Sequence, residues 1–127
     1  MPKILIVDDD DLLRGMLADF LREQGYECIP AENVEKARGY LNRNRFELTL
    51  SDFNMPLESG LDLLRYVKAS RFDTPFILMS SEADAGLKRE ALGLGAAACL
   101  AKPFKLQDLL TGIQSALCAS ASPAQLH

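Results

Sequence analysis

The sequence predicts an open α/β fold, a single domain of five parallel strands with helices on both faces. Three observations carry this. Short apolar runs alternate with stretches whose apolar residues recur at helical spacing. The runs are continuous instead of alternating, as expected of strands buried on both faces. They lead into residues that can do phosphate chemistry, namely Asp8, Asp52, Ser80 and Lys102. Parallel strands would bring all four to one carboxyl edge, where open α/β sheets bind ligands.

Each element has its own signal. Lys3–Asp8 is a β-branched and leucine run and reads as the first strand. Leu12, Leu13, Met16, Leu17, Phe20 and Leu21 follow at i, i+3, i+4 spacing, so a helix burying them is expected, capped by Asp10 or Asp11 and stopped by Gly25. Tyr26–Pro30 is a short strand. Asn33 can cap a helix burying Val34, Ala37, Tyr40 and Leu41. Phe46–Asp52 is the central strand. Leu57–Gly60 reads as a loop, leading to a helix that buries Leu61, Leu64 and Val67. Pro75–Ser80 is the fourth strand. Asp84–Leu94 is a weaker helix, containing Gly86 and Gly93 and ending at Gly95. Ala97–Ala101 is the fifth strand. Leu106, Leu109, Leu110, Ile113 and Leu117 mark a last helix. Residues 119–127 are rich in Ala and Ser and show no periodic pattern; they read as a flexible tail or linker stub after a domain at 1–118. Five such units fit a flavodoxin-like doubly wound sheet of order 2-1-3-4-5 with right-handed crossovers.

Composition narrows the function. The chain has 127 residues, 48% of them hydrophobic, enough for one core. A formal charge of -4 argues against direct binding of nucleic-acid backbones. Cys28, Cys99 and Cys118 are widely spaced and form no CxxC pair, which fits reduced thiols in a reducing compartment. No apolar run reaches the ~20 residues of a membrane span. A strand pattern starts at once after Met1 and Pro2, leaving no room for a signal peptide. A cytoplasmic protein is expected.

The predicted edge has a definite chemistry. Asp8, Asp9 and Asp52 would stand close together, repel one another and raise one another's pKa. A hard divalent cation relieves that conflict, and Mg²⁺ suits a site of few carboxylates plus waters. Lys102 can serve as a point charge for a phosphoryl oxygen, and Ser80 can offer a hydroxyl. Asp52 can then be the nucleophile that takes a phosphoryl group.

These residues, in this order, resemble the receiver domain of two-component response regulators over residues 3 to about 118. The resemblance rests on Val7, Asp8 and Asp9 after the first strand; on Asp52 with Asn54, Met55, Pro56 and Gly60; on Ser80 after the fourth strand; and on Lys102, Pro103 and Phe104 after the fifth. It implies that Asp52 is the phosphoacceptor, that Asp9 binds Mg²⁺ directly and Asp8 through water, and that the Asn54 carbonyl completes the protein ligands. It implies that Ser80 contacts the phosphoryl group, that Lys102 pairs with it, and that the Lys102–Pro103 peptide is cis. The implied phosphodonor is a sensor histidine kinase or a histidine phosphotransfer protein. The output is a conformational change read by a downstream effector, and the domain catalyses only its own phosphorylation and dephosphorylation. Asn54 and Glu82 stand where the family tunes hydrolysis, which implies a phosphoryl lifetime of seconds to minutes.

Two departures stand out. Cys99 occupies the place of the family's switching Tyr or Phe, so a ring rotation is not available. Ala97 and Ala98 replace the acids of the family's winged-helix members, and residues 105–118 hold no arginine, which argues against their dimer. Competing readings fit less well. An aspartate-nucleophile phosphohydrolase of the haloacid dehalogenase type would use Asp8 and Asp10, but only Asp108 follows Lys102 where an acidic pair is needed. A flavodoxin-like FMN carrier would need a Ser/Thr/Gly-rich phosphate loop where four aspartates stand. A degenerate receiver serving only for docking would not need the intact Asp, Ser and Lys set.

Overall fold

The computed structural model of the protein describes residues 1–81 and 85–125, with side chains described through 119. Its five strands are β1 (Lys3–Val7), β2 (Glu27–Ala31), β3 (Leu48–Asp52), β4 (Phe76–Ser80) and β5 (Ala98–Ala101). They form one parallel sheet in the order β2-β1-β3-β4-β5. Between and after them run α1 (Asp11–Glu23), α2 (Val34–Arg43), α3 (Gly60–Ala69), α4 (Ala85–Gly93) and α5 (Leu106–Gln125).

The continuous apolar runs are explained by cover on both faces. Strand side chains alternate with a period of two. Leu5, Val7, Phe76 and Leu78 point to one core with α2, α3 and α4. Ile4, Ile6, Leu48, Leu50, Ile77 and Met79 point to the other with α1 and α5. Every residue of β3 and β4 is buried. The buried hydroxyls Thr49 and Thr74 satisfy each other at 3.1 Å.

Helix boundaries follow local chemistry. Asp10 caps α1 by accepting from the N–H groups of Leu12 and Leu13, and Gly25 takes φ 96° just past its end. Asn33 caps α2 through the Lys36 N–H. Ser59 and Asp62 form a reciprocal capping box at α3.

Three details differ from the sequence pattern. In α1, Leu12 and Met16 are exposed, while Leu17, Ala18 and Leu21 are buried. The helix rests on the 17-18-21 row, and Leu12 lies about 140° round from Leu17 at 100° per residue. Tyr40 and Leu117 are half-buried and Leu106 is exposed, with Ala116 taking an inward place on α5. The backbone of α5 continues past the end of its apolar stripe to Gln125, so residues 119–125 are helical where no periodicity predicts it; alanine needs no packing partner to favour a helix. His127 lies outside the described residues.

Candidate functional site

Register brings the polar strand ends together. Val7 pairs with Ser51, Asp52 with Met79, and Ser80 with Ala101. Asp8 is level with Asp52, and Ser80 and Lys102 lie one and two residues further along, so all four sit at or just past a strand end on the same edge. Asp8, Asp52 and Ser80 are buried and Asp9 is exposed. One carboxylate oxygen from each of Asp8, Asp9 and Asp52 lies within 4.8 Å of the others. Lys102 Nζ reaches into the cluster, 2.8 Å from Asp52 Oδ1 and 3.6 Å from Asp8 Oδ2. The Lys102 N–H donates to the Ser80 carbonyl at 2.8 Å, which ties the last strand end to the fourth. The Lys102–Pro103 peptide is cis, as the resemblance implies.

Burial shapes the electrostatics. It pushes the Asp52 carboxyl above its ordinary range; the Lys102 ammonium pulls the other way without cancelling it. Burial likewise raises Asp8, opposed by the Asp10 N–H that donates to Asp8 Oδ1 at 3.0 Å and reinforced by the charge of Asp52. Burial alone would lower Lys102, but its contacts with Asp52 and Asp8 outweigh that and hold the ammonium charged. Apart from Lys102, no donor among the described residues reaches Asp52 Oδ1 or Asp8 Oδ2. Two buried, under-satisfied carboxylate oxygens beside a third carboxylate form a donor set that fits a hard cation.

The surrounding backbone is held closely. The Arg14 Nη1 donates to the Asp8 carbonyl at 2.7 Å. The Gly60 N–H donates to the Phe53 carbonyl at 3.0 Å. A Cβ on Gly60 would stand 2.4 Å from the Asp52 carbonyl oxygen and 2.7 Å from Leu78 Cδ1, so only glycine lets α3 start against the end of β3. Between them Leu57 takes φ 72° with its side chain fully exposed, a left-handed conformation costing leucine on the order of 1–2 kcal/mol. Asn54 is exposed in this loop and donates its amide to Ser81 Oγ at 3.3 Å. Glu82 and Asp84 lie outside the described residues.

The structure thus brings Asp8, Asp9, Asp52 and Lys102 into one cluster, sets Ser80 beside it through backbone pairing, and leaves Asn54 on the rim. The Ser59-x-x-Asp62 pattern was a readable sign of the helix cap. The Arg14 and Gly60 contacts depend on tertiary approach and have no spacing signal. Cys99, half-buried on β5, packs against the core around α3 and α4, and burial raises its thiol pKa. Cys28 is buried and pushed up to about 11, while Cys118 is exposed and fills no core position.

Comparison with known proteins identifies the family. The response regulator receiver domain family matches residues 4–114. The chain is 34% identical over 116 residues to the phosphate regulon transcriptional regulatory protein PhoB of Pseudomonas aeruginosa, covering 90% of this chain and 51% of that protein. It is 37% identical over 108 residues to the response regulator protein FleR of the same organism, covering 85% of this chain and 23% of FleR. The chain therefore spans about half the length of PhoB and less of FleR. Among solved structures, chemotaxis response regulator CheY4 of Vibrio cholerae aligns with TM-score 0.85 at 31% identity, covering 91% of this chain and 98% of that one. The receiver domain of the Francisella response regulator 1452 aligns with TM-score 0.90 at 26% identity, covering 94% and 99%. Among the described residues no helix is long and apolar enough to cross a membrane. By this match the chain belongs to the response regulator receiver domain family, the phosphoacceptor switches of two-component signalling.

Proposed function

We propose that Asp52 accepts a phosphoryl group from a phosphohistidine of a sensor histidine kinase or histidine phosphotransfer protein. The observation that supports this most directly is the meeting of Asp52 with Asp8, Asp9 and Lys102 in one partly buried cluster. An Asp52 carboxylate oxygen attacks phosphorus in line. As the O–P bond forms, the N–P bond breaks and the imidazole leaves with its electron pair. Lys102 exchanges its present carboxylate partners for a phosphoryl oxygen, and the Ser80 hydroxyl turns to another. Asp8, Asp9, Asp52 and the Asn54 backbone carbonyl are the residues that would hold Mg²⁺, Asp9 directly and Asp8 through water. Bound there, the ion supplies neutralising charge to the transferring group. Attack by water on the acyl phosphate returns Asp52 and releases orthophosphate, so the domain acts on its own phosphorylation state alone. By the resemblance, Asn54 and Glu82 stand at the positions that tune this hydrolysis, so a phosphoryl lifetime of seconds to minutes is expected. The receiver unit is assigned to residues 1–118, supported by the family match over 4–114, with 119–127 as tail or linker. A cytoplasmic location follows from the proposed donor.

Intact mass after incubation with acetyl phosphate and Mg²⁺ tests the reading. One phosphoryl adduct is expected on wild type, none on Asp52→Asn, and none with EDTA. Labelling of Asp52→Asn, or labelling that survives EDTA, overturns it.

A further inference from the structure

We infer that Arg38 and Glu58 are positioning residues for the carboxylate site, acting through the loop between β3 and α3; the inference rests on the metal reading above. The loop is fixed at both ends. The Phe53 N–H donates to the Met79 carbonyl at 2.7 Å, and Ser59 caps α3 while Gly60 lies against the Asp52 carbonyl. Between these anchors sits Leu57 at φ 72°, with no packing around its exposed side chain to hold it there.

The adjacent Glu58 supplies the hold, its N–H closing the turn onto the Pro56 carbonyl at 2.8 Å and its side chain anchoring that turn from outside. Its carboxylate takes Nη1 and Nη2 of Arg38 at 2.8 and 2.5 Å, a two-bond fork that fixes direction as well as distance. Arg38 is steadied in turn, its guanidinium 5.1 Å from the centre of the Tyr66 ring. The Tyr66 hydroxyl donates to Asn42 Oδ1 at 3.1 Å. α2 and α3 therefore grip the loop from outside. Glu58, Leu57 and Pro56 line the same cleft as Asp9. Arg38 and Glu58 side chains are about a third exposed, 34% and 36%, so the pair adds little to global stability. What it does is select one backbone path, which sets where Asn54 presents its carbonyl beside Asp52.

The test uses the full chain as wild type, Arg38→Met, Glu58→Gln and Arg38→Met/Leu57→Asn. Arg38→Met keeps an aliphatic stem and removes the fork. Mg²⁺ alone is titrated by calorimetry, and amide exchange of residues 53–59 is followed without metal. Arg38→Met is expected to bind Mg²⁺ about tenfold more weakly, the scale of losing a support behind a metal ligand. Glu58→Gln should shift in the same direction by less. Exchange at residues 54–58 should quicken in both, and acetyl phosphate labelling should return to the wild-type rate at saturating Mg²⁺. Asparagine tolerates the left-handed conformation, so adding Leu57→Asn should bring the affinity of Arg38→Met back toward wild type. Wild-type affinity and exchange in both single variants overturn the inference, as does a Leu57→Asn change that restores nothing. Absence of Mg²⁺ binding by wild type is a distinct result, which overturns the metal reading itself and this inference with it.

Discussion

At the scale of single residues, the site holds carboxylates where folding alone would not place them. Asp8 and Asp52 have native pKa values above their ordinary ones, chiefly through burial. For an acid whose pKa rises on folding, the native state binds more protons than the unfolded state between the two values. Stability then falls as pH rises through that window. The metal-free protein should accordingly lose stability on going from the ordinary carboxylate range upward to the raised native values. Asp52→Asn removes the acceptor's share of that slope. We expect it to be more stable than wild type at neutral pH by about 0.5–2 kcal/mol, the usual yield of relieving one unfavourable group. Urea melts of both proteins across acidic to neutral pH check this; a wild-type curve that climbs with pH faster than Asp52→Asn would contradict the sign. Lys102 works against the penalty without removing it, since it faces two carboxylates with one charge.

At the scale of elements, strands were the most legible part of the sequence and helix faces less so. A strand covered on both sides is an unbroken apolar run, and β1, β3 and β4 read directly. The exposed Leu12 and Met16 misled because a leucine on a helix does not say which side meets the sheet; the row through Leu17, Ala18 and Leu21 does so only after packing. Asp8, Asp9, Asp52 and Lys102 were legible together because parallel strands must deliver their ends to one edge. Arg38 and Glu58, 20 residues apart, were not, because their meeting depends on how α2 and the loop approach. Gly60 is where element packing touches the chemistry. Gly60→Ala would drive a methyl into the Asp52 carbonyl and Leu78, so we expect a loss of about 1–3 kcal/mol, as for other overpacked sites, and slower acetyl phosphate labelling at equal Mg²⁺. Calorimetric melting and a labelling time course measure the two effects. The reporting element is expected to be α4, which buries only Leu87 and Ala91 and follows Ser80. With Cys99 in place of a ring, the response should be a backbone shift. Beryllofluoride with Mg²⁺ should change amide exchange across residues 85–100; unchanged exchange there would show that the signal leaves by another face.

At the scale of the whole molecule, a ligand that binds only the folded form stabilises every part of it. Mg²⁺ at 100 times its dissociation constant should add about 2.7 kcal/mol, and EDTA should reverse the gain. A melting temperature indifferent to Mg²⁺ would mean that Asp8, Asp9 and Asp52 do not hold the ion. The sheet also divides the molecule by tolerance to change. The cluster of Asp8, Asp9, Asp52 and Lys102 occupies one rim, and every position of β3 and β4 is buried, while the outer faces of the helices carry little of the core. In a library of all single substitutions selected for phosphate uptake, forbidden positions should form a spine through β1, β3 and β4 with its tip at Asp52. The outward positions of α1, α4 and α5 should accept almost anything. Such a chain can be given new partners by repainting its helices while its reactive rim stays untouched, which makes the fold a ready chassis for rewired signalling circuits.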